Sequence, residues 1–116
     1  MDIKTLDCYQ TAARSFATGG GATLEYAILG LAEEAGEVAG KVAKYIRKHP
    51  GASVDSIGGD IETRAALSLE LGDCLWMVAN AAAALGLTLA TVANMNITKL
   101  EGRKKRGTII GEGDHR

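Results

Sequence analysis

The chain has 116 residues, 13 basic and 14 acidic, with a net charge of −1 and a pI near 6.1, which excludes the strongly basic surface of a protein that coats nucleic acid polymers. Its length suits a single domain, residues 1–116, with one core. Composition is 47% hydrophobic yet only 4% aromatic, which argues against a β-sandwich and for helices packed through alanine.

In chain order, residues 5–18 carry Leu6, Tyr9, Ala13 and Phe16 at helical spacing and stop at Gly19-Gly20-Gly21. A second periodic segment, 24–48, aligns Ile28, Leu31, Ala35, Val38, Val42 and Tyr45 in one stripe and ends before His49-Pro50-Gly51. Residues 49–60 hold the only proline and several glycines, which predicts a loop. A third helix is expected over 61–85 with Gly86 as its terminal glycine. Thr88 is a suitable cap for a fourth helix, which runs to a basic end before Gly107. Residues 107–116, GTIIGEGDHR after Arg106, read as a flexible or lid-like tail.

The predicted fold is therefore all-α, a four-helix bundle. Its alanine-rich faces leave apolar surface on so small a protomer, which predicts a homodimer or homotetramer. Cys8 and Cys74 form no metal-like pair and are expected as reduced core thiols in a cytoplasmic protein. The opening MDIKTLDCYQ shows no basic segment followed by an apolar one, so no secretory leader is expected. The apolar run 65–90 is broken by Glu70, Asp73 and Asn80, which predicts a core helix and no membrane partner.

The chemistry is concentrated in acids. On the second helix Glu34 borders the apolar stripe, Glu37 lies beside it and Glu33 points outward. A solvated face with a Glu37–Lys41 pair is one reading of them. On the third helix, Glu70 and Asp73 interrupt a surface apolar on nearly every other side, and Arg64 is almost two turns away. Carboxylates buried there need a cation, a proton or a metal. If the two helices face each other, Glu34, Glu37, Glu70 and Asp73 converge as four hard oxygen donors, a set suited to Mg²⁺, with Mn²⁺ able to substitute. No cysteine or histidine joins them as zinc would require, and there is no Glu-x-x-His pair of the di-iron kind.

Glu33-Glu34-x-x-Glu37 followed by Glu70-x-x-Asp73 resembles the signature of the MazG-like, all-α nucleoside triphosphate pyrophosphohydrolases, and the likeness extends from the YQTAA run of the first helix to the tail. The resemblance implies hydrolysis of a nucleoside triphosphate between its α- and β-phosphates, giving the monophosphate and pyrophosphate. It implies Glu34, Glu37, Glu70 and Asp73 as metal ligands, and Glu33, with Glu34, as the acids that handle the attacking water. The insert between Glu37 and Glu70 is longer than is usual there.

A triphosphate also needs cations. Asn96, Lys99, Arg103 and Arg106 share one face of the fourth helix and are candidates for it, the alternative being a solvated basic end that favours the helix dipole. Asn80, near Trp76 and Met77, is a candidate for the base, as are Tyr9 and Gln10, although core packing explains each of them too. Rival readings within the superfamily are a dUTPase-like diphosphatase and a phosphoribosyl-ATP pyrophosphohydrolase. From another class, a non-catalytic helical binding or oligomerisation module remains open.

Overall fold

A computed structural model describes residues 2–115 and consists of four α-helices, α1 (Leu6–Arg14), α2 (Leu24–Lys48), α3 (Ile61–Ala84) and α4 (Leu89–Arg106). Three of them start on a threonine. The Oγ1 atoms of Thr5, Thr23 and Thr88 accept the backbone N–H of Cys8, Tyr26 and Thr91 at 3.1, 3.2 and 3.0 Å, supplying partners to donors that a helix start leaves unpaired. Two helices end on glycine: Gly86 and Gly107 take φ of 74° and 70°, and the next residues, Leu87 and Thr108, donate back to Ala82 and Arg103, both at 2.9 Å.

Helix α1 stops at Arg14 rather than at residue 18. The Ser15 hydroxyl donates to the Ala12 carbonyl at 2.6 Å and draws it out of the helical ladder. Segment 49–60 is more ordered than a simple loop, since Val54–Gly59 forms a 3₁₀ helix that buries Ile57, and the Ser56 hydroxyl pairs with that of Tyr45.

Helices α2 and α3 form an antiparallel hairpin, the spine of the molecule. Along α2 the packed positions are Ala27, Leu31, Glu34, Val38, Lys41 and Tyr45; along α3 they are Thr63, Leu67, Glu70, Cys74, Met77 and Ala81. Steps of four and three alternate in both, the spacing of a two-helix seam. This seam is rotated from the stripe expected on α2, because Ile28 stays 53% exposed and Ala35 is exposed. The reason lies at Gly30, where a Cβ would come within 2.5 Å of Met77 Sδ, so the helices close up on the glycine side. That rotation carries Glu34 from the border of the apolar stripe into the seam itself.

Helix α1 crosses the far end of the spine. Gln10 is buried there: its Nε2 donates to the carbonyls of Ala79 and Leu87 at 3.2 and 3.1 Å, and its Oε1 accepts Leu89 N–H at 2.9 Å. Trp76 Nε1 donates to the Ala13 carbonyl at 3.0 Å, and Asp7 Oδ1 accepts Ala90 N–H at 3.0 Å. These bonds hold the start of α4 at a 99° corner to α3.

The protomer is open as a result, with a radius of gyration of 17.0 Å, where a compact chain of this length has about 13 Å. It exposes 8136 Å², against about 6000 Å² for a compact monomer of its mass. Leu29, Leu69, Leu71, Met95 and Ile97 are among its exposed apolar side chains. Cys8 is exposed and Cys74 half-buried, so neither is the fully enclosed thiol expected. Among the described residues, no single helix is long and apolar enough to cross a membrane.

Candidate active site

The seam brings three of the predicted acids together. Glu34 of α2 and Glu70 and Asp73 of α3 each offer a carboxylate oxygen, and the three oxygens lie within 4.8 Å of one another. The spacing follows from geometry: Asp73 is one turn from Glu70 on α3, and the antiparallel register sets Glu34 opposite them. Glu33 and Glu37 stand around this trio on α2, both exposed, with Glu37 outside the close group.

Burial pushes the Glu34 carboxyl above the ordinary carboxylate range, and the negative charges of Asp73, Glu33, Glu70 and Glu37 add to that push. Such a cluster is short of positive charge, and its three carboxylates could hold a metal ion that prefers oxygen donors. Glu70 finds one partial counter-charge: Lys41 Nζ lies 3.2 Å from its Oε1. The sequence suggested Glu37 as the partner of Lys41, one turn away on the same helix. The structure gives Lys41 to α3 instead, because Lys41 is itself a seam position two turns from Glu34, a signal readable from the heptad spacing once the seam is known.

Beside the trio, between α1 and α3, runs a groove of about 450 Å³ lined by Ile3, Tyr9, Phe16, Trp76 and Asp73. Burial raises the Tyr9 hydroxyl pKa, and the nearby Asp73 charge raises it further. Phe16 is 75% exposed at the groove's edge. Gln10 does not face this groove as a free amide; its hydrogen-bonding arms are committed to the α3–α4 corner.

The candidates on α4 are elsewhere. Asp73 lies eleven residues before the end of α3 and Lys99 ten beyond the start of α4, so about 15 Å of helix on each side of the 99° corner puts them on the order of 20 Å apart. Lys99 Nζ and Arg103 Nη2 instead hold Asp114 Oδ1 of the tail, at 3.3 and 3.0 Å, and Arg103 Nη2 also donates to the carbonyls of Gly113 and Asp114. Asn96 is exposed, and the Arg106 guanidinium occupies the space where a side chain at Gly102 would begin. Asn80 is 3% exposed, and its Oδ1 has no hydrogen-bond partner among the described residues.

The model of the MazG nucleotide pyrophosphohydrolase domain matches residues 22–108, which span both acidic pairs and all of α2, α3 and α4. The chain belongs to the MazG family. It is a hydrolase acting on nucleoside triphosphates, as the matched domain indicates. This MazG-family chain is 42% identical over 118 residues to the Gene 37 protein of Mycobacterium phage L5, covering 96% of this chain and 98% of that protein. No solved structure matches it.

The tail contact of this MazG-family chain makes a testable prediction. Hydrogen bonding and charge from Lys99, followed by those from Arg103, hold the Asp114 carboxyl below the ordinary carboxylate range. A depressed carboxylate contributes its stabilisation above the unfolded pKa and loses it as pH falls through the folded value. Amide protection over residues 109–115, taken relative to intrinsic exchange at each pH, is therefore expected to be highest at neutral pH and to fall in acid, and Asp114→Asn should lower it at neutral pH.

Proposed function

We propose that this protein hydrolyses nucleoside and deoxynucleoside triphosphates between the α- and β-phosphates in a Mg²⁺-dependent reaction, releasing the monophosphate and pyrophosphate. The observation that carries this reading is the convergence of Glu34, Glu70 and Asp73 across the α2–α3 seam. An oxygen-only donor set with a surplus of negative charge suits Mg²⁺, and Mn²⁺ can replace it. Glu37 completes the set from the adjacent turn. A bound divalent ion supplies charge neutralisation at phosphate oxygens and a more acidic water.

The protein's own side chains do the rest. Glu33, solvent-facing beside Glu34, accepts the proton of the attacking water while the α–β anhydride bond breaks and pyrophosphate leaves. Catalysis of this kind depends on position and charge more than on covalent chemistry. The apolar groove takes the base by stacking on Trp76 and Phe16, a mode that tolerates different bases. Asn80, whose amide oxygen has no hydrogen-bond partner among the described residues, is the proposed acceptor for a donor on the substrate.

Asn96, Lys99, Arg103 and Arg106 serve the substrate in an oligomer, where the α4 of a second copy approaches the acids. Support for a homodimer or homotetramer comes from the surplus of about 2000 Å² of exposed surface on each protomer, more than the about 800 Å² that each partner buries in an interface of standard size. The setting is the cytoplasm, of the infected host if the chain is phage-encoded. Nucleic acid polymers and membranes are not among its partners.

Incubation with each canonical (d)NTP and Mg²⁺, with the first products resolved, tests the reaction. Monophosphate and pyrophosphate in equal amounts are expected. Orthophosphate as the first product would mean β–γ cleavage and overturn the proposed bond, whereas no turnover with Mg²⁺ or Mn²⁺ would overturn the reaction and return the chain to the class of binding modules.

A further inference from the structure

Helix α2 carries Lys41, Lys44 and Lys48 at steps of three and four, on one face. They line a cavity of about 190 Å³, closed from α3 by Glu62 and Thr63 and bounded by Tyr45. Lys41 on its wall also reaches Glu70, Nζ to Oε1 at 3.2 Å, so this lysine joins the cavity to the acidic trio. The other polar groups on its wall are engaged: the Tyr45 hydroxyl with Ser56, and the Thr63 hydroxyl donating to Asp60 at 2.6 Å. Three lysines therefore face a single wall carboxylate, Glu62, plus the Glu70 that Lys41 shares with the trio. The balance is cationic, and a multiply charged anion is the ligand that fits it.

We propose that this cavity is the pyrophosphate subsite, receiving the β- and γ-phosphates of the substrate. The inference rests on the pyrophosphohydrolase reading above and assigns the opposite end of the same substrate. Along the spine the order is aromatic groove at Trp76, acids at Asp73 and Glu70, then lysines facing Thr63 and Glu62. A triphosphate has the same order of base, scissile α-phosphate and terminal phosphates. Lys41 and Lys44 lie one turn apart, about 5 Å along the helix, a step that suits neighbouring phosphate groups. Within one protomer these lysines adjoin the acids, whereas Lys99 and Arg103 stand on the order of 20 Å away and hold Asp114.

Calorimetric titration of the full chain with inorganic pyrophosphate in Mg²⁺ is the test, on the wild type, Lys44→Ala, Lys48→Ala and the double variant. Both lysines are exposed and alanine favours helix, so the fold is retained. Each change is expected to weaken pyrophosphate about ten-fold, to leave Mg²⁺ and monophosphate affinity unaltered, and to raise KM. A double variant that binds pyrophosphate like the wild type overturns the subsite, as does a wild type without measurable affinity for it. A wild type that hydrolyses triphosphates while only Lys99→Ala and Arg103→Ala lose pyrophosphate overturns the subsite and leaves the reaction standing. If the wild type binds pyrophosphate through Lys44 and Lys48 but hydrolyses no triphosphate, the subsite stands and the reaction falls.

Discussion

Glu34→Gln and Asp73→Asn are each expected to cut metal-dependent pyrophosphate release by about a thousand-fold or more, while the metal-free proteins stay helical and melt no lower than the wild type. The two effects have one cause. Oxygens of Glu34, Glu70 and Asp73 lie within 4.8 Å of one another, a spacing that favours a bound cation and penalises its absence through like-charge repulsion. Neutralising one member removes a proposed ligand and also relieves that repulsion.

The pH dependence has a definite sign. Glu34 has a folded pKa raised above its ordinary value near 4.5, by burial first and by Asp73 next. The folded protein holds that proton more tightly, so the associated stability is present at low pH and is lost as pH rises through the raised value. Wild type and Glu34→Gln are therefore expected to melt alike in acid, with the variant equal or higher at neutral pH, in circular dichroism melts with a chelator present. Full activity in either variant would remove the acidic trio from the reaction.

Gln10→Leu is expected to lower stability by about 3 kcal/mol, near 10 °C in melting temperature for a domain of this size. Gln10 is 7% exposed and ties three backbone groups together: the carbonyls of Ala79 and Leu87 and the N–H of Leu89. Leucine fills the volume but leaves the Leu89 donor and the Leu87 acceptor without that partner. Gln10→Glu should be no better, because a carboxylate keeps the acceptor, loses both donations and adds a buried charge. KM measured on the folded fraction is expected to stay near the wild-type value. Wild-type stability with a changed base preference would give Gln10 to the substrate instead of to the corner.

Much of the architecture was legible because its signals are local. Threonine caps, terminal glycines and apolar periodicity fix where α2, α3 and α4 begin and end, within a residue of expectation. The chemistry of Glu70 and Asp73 was legible too, since two acids three apart on an otherwise apolar helix demand a partner. Less visible was the end of α1, which depends on one hydroxyl of Ser15 competing for a carbonyl, and the 3₁₀ turn that anchors Ile57.

The sequence by itself determined an all-α chain with two acidic pairs at one-turn spacing, because helix propensity, capping and residue identity are properties of short stretches. Only the tertiary structure decided which face of α2 is buried. Close approach at Gly30 rotates the seam by part of a turn, moving Glu34 inward and assigning Lys41 to Glu70, and no wheel drawn on α2 alone contains that contact. The same holds for the corner after α3: Gln10, more than sixty residues distant in sequence, fixes the direction of α4 and thereby sets Lys99 and Arg103 apart from the acids of their own protomer.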